Sequence, residues 1–362
     1  MPSSRSLVAA AGIAVSTLVL VPAAPSGLAV HSAQEPNAQA AAVAWTVSPT
    51  GSDDQFRGLS VLTRKVVWLS GESGTVLRTF DAGENWRDVS PPAAAGLALR
   101  DVEAFGGGHA VTLSIGTGED SRIYSTDNRG RTWTEAFRNT DPAAFYDCMA
   151  FGRDGSGLAL SDPVDGRFQL ARTTDQGRSW SVTDDVDMPA ALTGEFAFAA
   201  SGTCIVASGN DNYWFATGGV EHPRIFRTTD GGDSWTVAET PLRGGPSAGI
   251  YSIAFRSPSQ GVIVGGDFEA ETDGSDAAAV TWDGGRTWWP SRSPVGGYRS
   301  GVDYRPGTEV VAVGPSGSDL SSDRGRTWTT FDDERYDSVQ CVPLTCWASG
   351  TDGRAAWLGT TS

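Results

Sequence analysis

The chain has 362 residues, 39% hydrophobic and 19% charged, which is enough to bury a large core and unlike a disordered or membrane-spanning composition. A formal net charge of -16 and a pI near 4.5 set it against phosphate backbones and anionic lipid surfaces, so nucleic acid is not an expected partner. With 45 Gly, 19 Pro and no long helical periodicity beyond the first thirty positions, the composition favours short strands joined by turns.

In chain order, the first expected element is a targeting segment at 1–29. Arg5 supplies the positive start, Leu7 to Val21 the apolar stretch, and Ala23, Ala24, Gly27 and Ala29 the small residues before cleavage at 24–33. A linker at 30–42 and one folded domain at 43–362 follow. The reading places the protein outside the cytoplasm, secreted or extracytoplasmic, without membrane insertion once the signal is removed. No cysteine lies near the cleavage region, which points away from lipid attachment.

From residue 79 onward one eight-residue pattern recurs. Thr79 to Trp86, Thr126 to Trp133, Thr173 to Trp180, Thr228 to Trp235, Thr281 to Trp288 and Ser321 to Trp328 all fit S/T-x-D-x-G-x-x-W, with Asn128 in the Asp place. The carboxylates of Asp81, Asp175, Asp230, Asp283 and Asp323, and the amide of Asn128, can accept backbone N–H groups and fix a tight turn. The Gly permits a conformation that a Cβ penalises, and the Trp fills a neighbouring layer. These residues are therefore structural, and a row of metal ligands is not expected.

The six tryptophans are 47, 47, 55, 53 and 40 residues apart, the length of one four-stranded propeller blade. Phe56 to Leu62, Val66 to Ser70, Thr75 to Thr79 and Trp86 to Val89 are the predicted strands of the first blade. A seventh blade is split: Asp337 to Val342, Thr345 to Ser349 and Arg354 to Leu358 lack a following box, and Trp45-Thr46-Val47 resembles the strand that follows one. The expectation is an all-β, seven-bladed β-propeller of four-stranded antiparallel blades, closed by its N-terminal strand. A monomer is expected. Cys341 and Cys346 flank a hairpin-sized loop and could form a bridge, as could Cys148 and Cys204; buried free thiols are the alternative.

The repeated pattern resembles the Asp box, the BNR-type repeat of sialidases and many bacterial propellers. Beyond the boxes, Phe56-Arg57-Gly58-Leu59, Asp162 to Gly166, Gly194 to Phe198, Gly265-Gly266-Asp267, Gly297 to Gly301 and Val313 to Gly317 resemble the photosystem II stability and assembly factor-like family. That resemblance implies an exported seven-bladed propeller and, in photosynthetic organisms, a role in assembling a membrane complex. No cofactor is expected. The chain shows no Gly-rich turn opening a helix, no Cys-x-x-Cys and no cluster among His31, His109 and His222.

A central site should lie on the face away from the boxes. Aligning the innermost strands puts Arg57, Arg100, Tyr146, Glu195, Ile250, Arg299 and Asp337 at one level, with Asp101, Asp147, Tyr251 and Ser300 one step on. Asp162 and Asp267 are added from second-strand ends. Three guanidinium groups suit a carboxylate, so the first reading is a binding propeller for a protein partner or a small anionic or carbohydrate ligand. The rival is a sialidase-type glycoside hydrolase with Tyr146 or Tyr251 as nucleophile, Glu195 as its base and Asp101 or Asp147 as acid, and a third reading is a purely structural ring in which each Arg pairs with an Asp or Glu of an adjacent strand. Two long loops complete the list: Asn210 to Pro223, where Trp214 could stack on a sugar, anchor a protein partner or pack into its own blade, and the acidic Gly266 to Ala277, which lacks a recognised calcium spacing.

Overall fold

The computed structural model describes residues 43–106, 108–183 and 187–359. The expected signal segment and linker lie outside the described residues. Seven four-stranded sheets make up the fold. Blade 1 consists of Phe56–Thr63, Val66–Gly71, Val76–Thr79 and Arg87–Asp88, all antiparallel. Its first three strands are almost wholly buried and its outermost is exposed, because neighbouring blades cover both faces of the inner part and water reaches the rim.

The innermost strands of the seven blades are Phe56–Thr63, Ala98–Gly106, Tyr146–Phe151, Ile205–Ser208, Ala248–Ser257, Gly301–Tyr304 and Ser338–Val342. Each packs beside the next, and the seventh packs beside the first. Thr46–Val47 pairs antiparallel with Ala355–Gly359 and completes the seventh sheet, so the N-terminal strand closes the ring. Closure protects the sheet edges that an open ring would expose.

The boxes are hydrogen-bonded turns of one design. Thr79 Oγ1 donates to Asp81 Oδ1 at 2.8 Å and accepts from Gly83 N at 3.0 Å, while Asn85 N donates to Asp81 Oδ1 at 2.9 Å. Bonds from the side chain and backbone of Asn85 and from Thr79 hold the Asp81 carboxyl down to about 2. The same bond from the box hydroxyl to a side-chain Oδ1 recurs at Asn128, Asp175, Asp230, Asp283 and Asp323. Ala82 and Gly83 both adopt positive φ, 65° and 82°, and a Cβ on Gly83 would meet Ser48 Oγ at 2.1 Å. Two box tryptophans meet a tryptophan of the blade before their own, Trp133 meeting Trp68 edge-on at 6.4 Å and Trp86 meeting Trp347 at 5.9 Å, whereas Trp180, Trp235 and Trp288 meet Phe151, Phe215 and Phe255 of their own blades.

Both cysteine pairs are bridged, Cys148–Cys204 with Cα atoms 6.1 Å apart and Cys341–Cys346 with 3.9 Å. Blade 4 departs from expectation twice. Its innermost strand starts at Ile205, so Glu195 does not open it, and the residues before it run inward. Tyr213, Trp214 and Phe215 are not on a loop but on the strand Asn212–Ala216. Trp214 is fully buried, stacked on Phe255 at 3.7 Å with its Nε1 donating to the Gly284 carbonyl. Its large apolar ring is better satisfied between blades 4 and 5 than in water, which rules out the ligand-stacking role.

Candidate functional site

The run from Phe198 to Thr203 crosses the hub. Arg57 of blade 1 donates to the Ala200 carbonyl at 3.2 Å and Arg100 of blade 2 to the Ala199 carbonyl at 3.0 Å. Thr203 Oγ1 meets Ser252 Oγ of blade 5 at 2.6 Å, and its carbonyl accepts Ile253 N. Asp162 Oδ1 steadies the approach by accepting Ala197 N at 2.8 Å, and burial pushes its carboxyl up to about 6. The channel is therefore split into two cavities with different linings.

The first, of about 320 Å³, opens away from the boxes among the starts of the innermost strands. Arg57, Arg100 and Asp337 line it, with Phe198, Tyr251 and Tyr298 as an aromatic floor. Phe198 stacks on Tyr251 at 3.8 Å, and Tyr251 meets Tyr298 at 4.6 Å. Arg57 Nε and Arg100 Nη2 converge on one atom, Glu72 Oε1, at 3.0 and 2.9 Å. Arg57 also pairs with Asp337 at 3.3 Å. Burial and then the neighbouring Arg57 push the Arg100 guanidinium down to about 10, and Arg100 Nε is buried with no hydrogen-bond partner among the described residues.

The second cavity, of about 250 Å³, lies toward the boxes and is acidic, with Asp101, Glu103 and Asp303 on its wall. Burial pushes Glu103 up to about 7, Asp303 to about 6, and Asp101 well above the usual carboxylate range. Asp101 Oδ2 accepts Met149 N at 2.8 Å.

The remaining sequence-predicted residues are dispersed. Arg299 is fully buried, bonded through Nε to Asp319 at 2.6 Å and through Nη1 to Ser316 Oγ and its own chain at Tyr298. Glu195 is buried against Arg224, with Thr217 Oγ1 and Leu192 N as further donors. Tyr146 donates to Gln169 Oε1 inside blade 3, and Tyr251 donates to the Ser247 carbonyl. Burial pushes both phenols up. Neither hydroxyl bonds to a carboxylate, so the tyrosine, base and acid of the hydrolase reading are not assembled: Glu195 is neutralised by an arginine of its own blade. Asp147 is buried with Oδ2 unpartnered, and Asp267 accepts Glu269 N in its own turn. The acidic loop spends its charge locally, Asp273 on Arg243 at 2.7 Å and Glu271 on Arg335 at 3.2 Å.

Sequence reading missed Glu72 and the carbonyls of Ala199 and Ala200. Glu72 was within reach, since it follows the second strand of blade 1 and second strands end on the box-free face. Backbone carbonyls carry no side-chain signal.

No family model matches the chain. The photosystem II assembly lipoprotein Ycf48 of Nostoc sp. is 25% identical over 220 residues, 57% of this chain and 54% of that protein. The chain is homologous to Ycf48. The Ycf48 of Trichormus variabilis is 24% identical over 220 residues, and the chain spans about half the length of these curated relatives, 54% of each. Among solved structures, YCF48 bound to a D1 peptide superposes with a TM-score of 0.63 at 15% identity, covering 88% of this chain and 97% of that one. YCF48 from Cyanidioschyzon merolae gives 0.59 at 15% identity, covering 88% and 100%. The Pan2 WD40 domain of Neurospora crassa gives 0.58 at 10%, covering 85% and 90%. The Ycf48 structures and the WD40 domain alike carry the likeness of fold.

Proposed function

We propose that this chain is an extracytoplasmic binding or assembly propeller that holds a segment of a protein partner at the cavity opposite the boxes. One observation carries the reading: two guanidinium groups from different blades meet on a single carboxylate oxygen of Glu72, whose side chain is 34% exposed. Glu72 lies on a turn facing water, so a partner's carboxylate can take its place without breaking a sheet, and Arg100 Nε is left to bond it. The aromatic floor gives the adjoining residues of such a segment an apolar surface. Homology to assembly lipoproteins, and the peptide in the related YCF48 structure, support a protein partner over a free small anion. Placement outside the cytoplasm is supported by the Arg5 and Leu7 to Val21 pattern and by two disulfides.

An array of synthetic peptides, each made with a free and with an amidated C-terminus, tests this. The wild-type chain is expected to retain a subset of the free-acid peptides and to lose them in Arg57→Ala with Arg100→Ala. Retention that ignores both amidation and the two arginines would sink the reading.

A further inference from the structure

A third cavity, of about 370 Å³, opens on the box side between blades 1 and 2, away from the hub. Leu62, Val66, Trp68 and Phe80 form its apolar wall, and His109 and Arg129 its polar edge. Phe80 is 41% exposed although the turn does not need an aromatic there. Asp127, Thr174, Thr229 and Ser322 hold the same place in four other boxes, and Trp282 in the fifth.

Beside this apolar wall sits positive charge, in a chain whose net charge is -16. Arg78 and Arg87 face each other directly across antiparallel strands, a like-charge arrangement that weakens a sheet. Arg129 and Arg131 add two more guanidinium groups. Among the described residues, none of the four forms an ion pair with a carboxylate, whereas Arg122 and Arg138 of blade 2 and Arg172 and Arg178 of blade 3 do. Arg78 is 6% exposed, with its guanidinium 4.0 Å from the Phe80 ring centre and 5.4 Å from that of Trp68. Its Nη1 donates to the Arg129 carbonyl at 2.8 Å, but its Nε is buried without a partner. Burial, followed by Arg129, Arg87 and Arg131, pushes the Arg78 guanidinium down to about 10. The cluster is thus short of an anion.

We propose that this cavity binds a small amphiphilic organic anion, an aryl or medium-chain alkyl carboxylate, with its apolar body on Trp68 and Phe80 and its carboxylate on Arg129. The cavity lies at the lower end of the roughly 300–1,000 Å³ range of small-ligand pockets, which suits one such molecule. Guanidinium groups pair with carboxylates in two-bond geometry and lose nothing by stacking on aromatic rings meanwhile. Binding would also relieve the mutual repulsion of the four arginines.

Calorimetric titration of the folded chain with 2-naphthoate, and with 2-naphthamide as its uncharged counterpart, tests the proposal at low salt. The wild type is expected to bind naphthoate with a Kd below about 1 mM and naphthamide at least about ten-fold more weakly, as expected where a charged pair forms at a partly buried site. Arg129→Gln is expected to weaken naphthoate by about five-fold or more and to leave naphthamide unchanged. Gln is safe at that position, because Gln176 holds the same place in the third box with a φ of 62°. Phe80→Ser should weaken both ligands. No binding of naphthoate to the wild type, equal binding of the two ligands, or an unchanged affinity in Arg129→Gln overturns the proposal.

Discussion

Arg299 and Arg57 hold matching places at the start of an innermost strand, yet their surroundings are opposite. Arg299 has no exposure and meets Asp319, which is itself 1% exposed, on the third strand of its own blade and held by Thr330 Oγ1 at 2.6 Å. Arg57 is 21% exposed and shares Glu72 with an arginine of the next blade. The difference lies in where the carboxylate comes from. An acid fixed inside the same sheet makes the arginine part of the frame, whereas one on a solvent-facing turn leaves it open to exchange.

The largest expected effect comes from breaking the buried pair. Arg299→Ala leaves the buried Asp319 without its ion-pair partner and should cost about 3–5 kcal/mol in urea unfolding. A loss below 1 kcal/mol would erase the distinction between the two arginines.

A middle-sized effect concerns the acids on the box side, which meet no arginine. Glu103 is pushed up to about 7 by burial, so the folded chain keeps a proton that the unfolded chain releases near the usual glutamate value. Its contribution therefore falls as pH rises through that window. Relative to the wild type, Glu103→Gln should be about equal in stability at pH 4.5 and about 3 kcal/mol more stable at pH 8. Urea unfolding at the two pH values checks this, and a variant less stable at pH 8 would show that a hidden cation compensates Glu103.

The smallest change in stability belongs to the mouth. Arg57→Ala takes one partner from the part-exposed Glu72 and one from the buried Asp337, which Gln55 Nε2 still holds, and should cost about 1 kcal/mol in unfolding while peptide retention falls. A loss as large as that of Arg299→Ala would make Arg57 a frame residue too.

The ring was legible because its signal is local and repeated: the hydroxyl, carboxylate, glycine and tryptophan of each box act within eight residues, and the spacing of Trp86, Trp133 and Trp180 counts out the blades. The split seventh blade could be read from Trp45-Thr46-Val47 for the same reason. The site was legible only in part. Arg57, Arg100 and Asp337 were found by aligning strand starts, but the same alignment admitted Arg299 and Glu195, since their neutralising partners Asp319 and Arg224 come from strands that the alignment does not consider. Trp214 was misplaced because an apolar strand after Asn210 reads like a loop when Gly209, Asn210 and Asp211 precede it.

The inward run of blade 4 has a mechanical consequence. Because its residues 199 to 203 are bonded to blades 1, 2 and 5, the wheel is braced along its diameters as well as around its rim. Loss of the rim clasp between Thr46–Val47 and Ala355–Gly359 would still leave opposite sides tied through that spoke.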